Sequence, residues 1–232
     1  MECDKFFYKW HATFLRGQNS HLGKQRFLYT ILKRFTQVSC ILLKASYFRH
    51  IKQKNIMNKR IIAITAIIFT AALLRLIPHA PNFSPIGAIA LFGGAYLSRK
   101  YLAYLIPFAA LLISDVFLGF YGIGMLVTYG AFAVSILIGS QLKKNLTWYN
   151  VAFASVASSV SFFLITNLVF FYPSAAGLYT HDLAGVIQCY AAGLPFFQNT
   201  FASDLVYNGI LFGSFYLLNV NIPALNAEKL KA

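Results

Sequence analysis

The stretch RIIAITAIIFTAALLRLIPHAPNFSPIGAIALFGGAYLSRK, residues 60–100, decides the fold class of this chain. It holds two apolar runs, 61–78 and 84–98, and it ends in basic residues on both sides. A helix needs about 20 apolar residues, each rising 1.5 Å, to cross the hydrocarbon core of a bilayer. The first run has nearly that length, and the second is shorter and rich in Gly and Ala. The stretch therefore predicts two antiparallel helices in a membrane.

Four further apolar runs follow this stretch along the chain. They are predicted at 101–119, 124–141, 148–172 and 199–219. The whole chain is 58% hydrophobic and only 11% charged, whereas soluble domains carry about 25% charged residues. We therefore predict an all-α, polytopic membrane helix bundle with six transmembrane helices.

Basic residues mark alternate boundaries between these runs. Lys59-Arg60, Arg99-Lys100 and Lys143-Lys144 precede the first, third and fifth runs, and Lys229 and Lys231 follow the sixth. The other boundaries contain no Lys or Arg. Because cytoplasmic loops are enriched in Lys and Arg, this alternation predicts that both chain termini lie inside the cell, in a bacterial inner membrane.

The N-terminal segment differs in composition from the rest. Residues 1–60 hold 13 of the 20 Lys and Arg residues, so the formal net charge of +14 belongs mainly to this segment and not to a nucleic-acid-binding face. We predict that residues 1–56 are a disordered basic extension or an incorrectly assigned start, with translation beginning at Met57. A basic amphipathic helix on the lipid surface is the alternative. Residues 57–222 form the predicted transmembrane domain, and 223–232 a short cytoplasmic tail.

Polar residues within the apolar runs are the candidates for a binding site, because such groups are expensive in a bilayer. The predicted topology places several of them at one depth, near the outer face. The candidate substrate-binding residues are Arg75, Asn82, Asp115, Asn167, Asp204 and Asn208. Asp204 and Asn208, with Thr200, share one helix face by their i, i+4 spacing.

These residues admit a binding interpretation and a structural one. In the first, Arg75 holds an anionic or carbonyl group of a solute, Asp115, Asp204 and Asn208 accept or donate hydrogen bonds, and Asn82 and Asn167 complete the rim. In the second, Arg75 pairs with Asp115 or Asp204 only to hold the bundle together. The predicted outer loop 173–198 is expected to fold against the bundle, and it supplies candidate lid or rim residues, which are His181, Tyr190 and Phe196. An interfacial helix without contact to a ligand is the alternative for this segment.

Motifs for other chemistry are absent from the sequence. There is no phosphate-binding loop, no H-E-x-x-H and no G-x-S-x-G. The three cysteines show no paired spacing that would indicate a disulfide framework or a metal site. We therefore predict no ATPase activity in this chain alone, no catalytic residues, no metal site and no cofactor.

Several stretches resemble an uncharacterised bacterial multi-pass membrane family that is itself similar to the substrate-binding (S) components of energy-coupling-factor transporters. They are Arg75-Leu76-Ile77-Pro78, Asn82-Phe83-Ser84-Pro85, Ala90-Leu91-Phe92-Gly93-Gly94, Ser114-Asp115, Thr166-Asn167, and Cys189-Tyr190 onward through Pro195-Phe196-Phe197 to Asp204. The resemblance covers residues 57–220. It implies a binder of a vitamin-like solute that works with a transmembrane coupling protein and two ATPase subunits. It also implies that Ala66 and Thr70 form the docking face for that partner.

The sequence thus predicts a membrane-embedded substrate-binding subunit of a transporter, which takes a small polar solute near the outer face. Two other classes stay open. One is an enzyme at the outer face with Asp115 or Asp204 as acid or base, and the other is a structural membrane protein without a ligand.

Overall fold

The computed structural model describes residues 57–168, 178–222 and 225, together with residues 37, 44, 46–48 and 51. The chain separates into two compact units, Met1–Ile56 and Met57–Ala232. The few described residues of the first unit are helical. The predictions for residues 1–56 and 223–232 otherwise lie outside the described part of the chain.

The second unit consists of six α-helices in its described residues, with no β-strand among them. They are α1 Met57–Leu74, α2 Ile86–Tyr96, α3 Lys100–Leu118, α4 Ile123–Gln141, α5 Trp148–Asn167 and α6 Leu183–Asn221. All of them except α2 are long and apolar enough to cross a membrane. The described part of the chain is therefore an all-α bundle with five candidate membrane spans, which indicates a multi-pass membrane protein.

The helix α2 is short but central. Its 11 residues span about 16 Å, which is roughly half the thickness of a hydrocarbon core. Every residue from Gly87 to Ala95 is buried, and α2 contacts α3, α4, α5 and α6. Phe92 packs edge-on against Phe212 and Phe215 of α6, with ring centroids 5.3 and 5.8 Å apart. The six-crossing topology, which counts α2 as a crossing, stays a prediction.

Two glycines allow α2 and α4 to pack backbone against backbone. A Cβ atom at Gly94 would collide with the carbonyl oxygen of Ile136, and one at Gly139 with that of Leu91. Side chains at either position would force the helices apart, because interiors are close-packed. Gly94 and Gly139 thus lie at a close contact between the two helices.

Two predicted boundaries are wrong. The first run was expected to be helical to residue 78, but α1 ends at Leu74 and Arg75 lies in the turn that follows. The predicted outer loop 173–198 is also wrong over most of its length. From Leu183 it is a helix that continues without a break through Pro195 into the last span.

Local signals explain where α6 begins. Asp182 is its N-cap, since its carboxylate accepts hydrogen bonds from the backbone N–H of Gly185 at 2.8 Å and from the Thr180 hydroxyl at 2.5 Å. These bonds hold the pKa of Asp182 below its usual range. Such a cap satisfies an N–H group that the first turn of a helix leaves without a partner.

Helix direction alternates through the bundle. The last residues of α1, α3 and α5 and the first residues of α2 and α4 lie at one end of the bundle. Residues 189–204 of α6 lie at this end as well, and we call it the cavity end because a cavity lies there. At the opposite end, the Lys143 ammonium donates a hydrogen bond to the Leu97 carbonyl at 2.7 Å. Two of the basic boundaries therefore meet at that opposite end.

Candidate functional site

A cavity of about 890 Å³ occupies the cavity end of the bundle. Its described wall comes from the α1–α2 and α3–α4 connections, the first turns of α2 and α4, the last turns of α5, residues 178–179 before α6, and α6 itself. The polar wall residues are Arg75, Asn82, Ser84, Thr128, Thr166, Asn167, Thr200 and Asp204, and aromatic rings are supplied by Tyr121, Phe162, Phe163, Tyr179, Phe196 and Phe197. This mixture of apolar surface with a few polar groups is typical of a small-molecule site.

Arg75 is held on the cavity wall by an ion pair. Its Nη2 lies 2.8 Å from Oδ1 of Asp115, and its Nη1 donates to the Ser114 hydroxyl. Arg75 is 7% exposed and Asp115 is fully buried. The last turn of α3 therefore supplies both a counter-charge and a hydrogen-bond acceptor to the arginine that follows α1.

The second oxygen of Asp115 is also occupied. The Tyr129 hydroxyl donates a hydrogen bond to Oδ2 of Asp115 at 3.0 Å. On the α3–α4 connection, burial raises the pKa of Tyr121, and a hydrogen bond with Thr128 opposes that shift. The Tyr121 phenol is therefore protonated at neutral pH and can donate to a solute.

Asp204, a residue of α6, lies beside the first turn of the central helix α2. Its side chain contacts Gly87, accepts a hydrogen bond from the backbone N–H of Ala88, and accepts another from the Ser159 hydroxyl at 2.6 Å. A carboxylate suits this position because the first N–H groups of a helix lack partners and carry partial positive charge. Asp204 therefore joins α5 and α6 to the first turn of α2 while it forms part of the cavity wall.

A row of buried polar groups continues from Asp204 along α5 and α6. One turn further, the Asn208 side-chain amide donates to the Ser155 hydroxyl at 2.9 Å, and its own oxygen has no partner in the described part of the chain. The Ser158 hydroxyl donates to that of Ser135 on α4 at 2.8 Å. These contacts fix the packing of three helices beneath the cavity.

The predicted site residues fall into two groups. Arg75, Asn82, Asn167 and Asp204 lie on the cavity wall. Two other predicted residues, Asp115 and Asn208, do not belong to the described wall and lie behind Arg75 and beyond Asp204, respectively. The structure places Asp115 against Arg75 and Asn208 against Ser155, and the contact of both residues with a solute stays a prediction.

The rim predictions divide in the same way. Phe196 lines the cavity, but His181 and Tyr190 are not on its described wall. Tyr190 instead donates its hydroxyl to the Leu164 carbonyl of α5 at 2.8 Å. Cys189 donates its thiol to the Asn167 carbonyl at 3.1 Å. The segment expected to form a lid is therefore packed along the last turns of α5.

Residues that the sequence reasoning missed are mainly hydroxyls. Ser159 bonds Asp204, Ser155 bonds Asn208, and Tyr129 bonds Asp115. A signal was present, since Ser155, Ser158 and Ser159 recur at helical spacing within an apolar run. The predicted docking residues Ala66 and Thr70 are exposed on α1.

The arrangement of helices and cavity defines an all-α, multi-pass membrane protein with a charged, partly aromatic pocket at one end. The chain belongs to a family of unknown function, DUF6580, whose model matches residues 55–225. No curated protein and no solved structure matches the sequence.

Proposed function

We propose that this protein is a membrane-embedded substrate-binding subunit of a transporter and that it binds a small polar solute in the cavity. The observation that carries the proposal is a volume of about 890 Å³ whose described wall combines buried Arg75 and Asp204 with side-chain amides and aromatic rings. Ligand pockets have volumes of about 300–1,000 Å³, so the space suits a vitamin-sized molecule.

The proposal includes a six-crossing arrangement in a bacterial inner membrane, with both termini inside. Support comes from the basic residues Arg99, Lys100, Lys143 and Lys144, which lie at the end opposite the cavity. Since basic loops are usually cytoplasmic, the cavity then opens toward the outer side.

The energy source in this proposal is a separate assembly. A transmembrane coupling protein with two ATPase subunits would dock on the exposed face of α1 around Ala66 and Thr70. Small side chains on an exposed helix face allow a second helix to approach closely. The resemblance to S components of energy-coupling-factor transporters supports this assignment.

A structural role without a ligand is the second candidate, and one observation favours it. Arg75 already has a carboxylate partner at 2.8 Å, as expected if the pair only holds α1 to α3. That role does not account for the aromatic rings and the amides that line the cavity.

Native mass spectrometry of the full chain, released from mild detergent, separates the candidates. We expect a co-purifying small molecule in the wild-type protein. Ala192→Trp should weaken its retention, because the indole takes up part of the cavity without removing a polar group. Asp204→Ala should weaken binding by at least about tenfold, the loss expected for one charge-assisted hydrogen bond.

Asp182→Ala is the matched control, because it removes an aspartate that does not line the cavity. A folded wild-type protein that never carries a small molecule, or an Ala192→Trp variant that retains it unchanged, would refute the binding function. Chemical conversion of the bound molecule by the purified chain would instead establish an enzyme.

A further inference from the structure

The two charged residues on the described cavity wall differ in how well their charges are neutralised. Arg75 has the Asp115 carboxylate at 2.8 Å. Since a guanidinium and a carboxylate at this distance cancel each other's long-range field, Arg75 lines the cavity without adding a net charge to its wall.

Asp204 has no cationic partner among the described residues. Its hydrogen bonds come from the Ser159 hydroxyl and the Ala88 N–H, which are neutral donors. The N-terminus of α2 contributes only about half an elementary charge. An ionised Asp204 therefore leaves the described wall with a net negative charge, although one Arg and one Asp line it.

The neutral part of the wall also suits a cation. Phe162, Phe163, Phe196 and Phe197 line the cavity, and the rings of Phe163 and Phe197 lie 4.7 Å apart by their centroids. The face of an aromatic ring attracts a cation.

We infer that the solute carries a planar or aromatic nitrogen cation, whose N–H groups bind Asp204, and a neutral acceptor, which binds the N–H groups of Arg75. The inference rests on the proposed binding function and narrows its substrate class. It excludes a net anionic solute, which the presence of Arg75 in an apolar run would otherwise suggest.

Three probes of nearly the same shape test the charge preference. Benzamidine is an amidinium cation, benzamide is neutral and benzoate is an anion. Their dissociation constants are measured by titration calorimetry on the full chain in phosphatidylcholine nanodiscs, up to millimolar concentrations. Empty nanodiscs give the background. We expect benzamidine to bind at least about tenfold more tightly than benzamide, and benzoate to bind most weakly.

Variants test whether Asp204 causes the preference for benzamidine. Asp204→Asn keeps the size and the hydrogen-bonding capacity of the side chain and should abolish the preference. Asp182→Asn should leave it unchanged. If Asp204→Asn does not fold, Phe163→Leu replaces it, because loss of one aromatic face should weaken benzamidine binding several-fold and benzamide binding less.

The outcomes separate the two proposals. Binding of all three probes with equal affinity, tighter binding of benzoate, or an unchanged preference in Asp204→Asn would overturn the cation inference and leave the binding function intact. Equal binding of benzamidine and benzamide, which is the result expected for a protonated Asp204, would also overturn the cation inference. A wild-type protein that binds none of the probes and carries no co-purifying molecule would refute the binding function itself.

Discussion

The ion pair between Arg75 and Asp115 gives a stability prediction that does not depend on any ligand. The perturbation is a double-mutant cycle of Arg75→Met, Asp115→Leu and the double variant. Each single substitution removes one charge and leaves the other in a site where Asp115 is fully buried and Arg75 is 7% exposed. The double substitution removes both charges and keeps most of the side-chain volume.

The expected magnitudes follow from the geometry. At a charge separation of about 4 Å and an effective dielectric constant of about 20, the pair attracts by roughly 4 kcal/mol. Leaving one buried charge without its partner costs about 3–5 kcal/mol, whereas replacing the whole pair by apolar side chains is often close to neutral. We therefore expect each single variant to lose about 3–5 kcal/mol and the double variant to lose no more than either one.

The assay is reversible unfolding in mixed micelles, followed by circular dichroism, with the free energy of unfolding as the measured quantity. A control cycle pairs Arg99→Met with Asp182→Leu. These residues lie at opposite ends of the bundle, so their effects should add within about 0.5 kcal/mol. If the effects of Arg75→Met and Asp115→Leu also add within about 0.5 kcal/mol, the reasoning is refuted, because charges in contact at 2.8 Å should be coupled.

Two further predictions concern helix packing and capping. Gly139→Ala should destabilise the protein by about 1–3 kcal/mol, because the added methyl group collides with the Leu91 carbonyl. The control Gly213→Ala adds a methyl group in open space and should stabilise the protein by about 0.5–1 kcal/mol. Equal effects of the two substitutions in thermal unfolding would contradict the α2–α4 contact. For Asp182, the lowered pKa means that its cap is intact above the usual carboxyl range and is lost as pH falls through the folded-state value. The protection of the Gly185 amide against hydrogen exchange, measured relative to the intrinsic exchange rate at each pH, should therefore fall in acid, and Asp182→Asn should remove most of that pH dependence.

The sequence was sufficient for the helical bundle and for much of the cavity wall. Charge alternation oriented the apolar runs, and that orientation alone brought Arg75, Asn82, Asn167 and Asp204 to one end, where the structure has its cavity. Polar groups in a membrane span cluster where they can satisfy each other or a ligand, which accounts for their common end. Binding of a solute by these four residues stays a prediction.

The sequence does not determine which carboxylate pairs with Arg75. Both Asp115 and Asp204 were candidate partners of Arg75, and both lie in helices that reach the cavity end. Which carboxylate comes within 2.8 Å depends on how α1, α3 and α6 are rotated about their axes. Rotation is set by packing details such as the contact of Gly93 with Pro107, which a pattern of apolar residues does not encode.

The extension of α6 was missed for a local reason. Gly193 and Pro195 lie within residues 173–198, and both residue types are unfavourable in helix interiors, so local propensity does not indicate a helix there. The opposing signal was Thr180-His181-Asp182, where a capping carboxylate precedes an apolar run. Tertiary contacts of Cys189 and Tyr190 with α5 then support the helix that propensity alone disfavours.

The central helix α2 has a consequence for how the chain tolerates insertions. Its first turn is bonded to Asp204 on α6, and its C-cap carbonyl at Leu97 is bonded to Lys143 beyond α4. One residue added between these points would lengthen the helix by about 1.5 Å and rotate its end by about 100°. Both attachments could not then be made at once, and Gly94 would turn away from α4. The register of these 11 residues is therefore fixed from outside the helix, in contrast to a surface loop, which absorbs insertions freely.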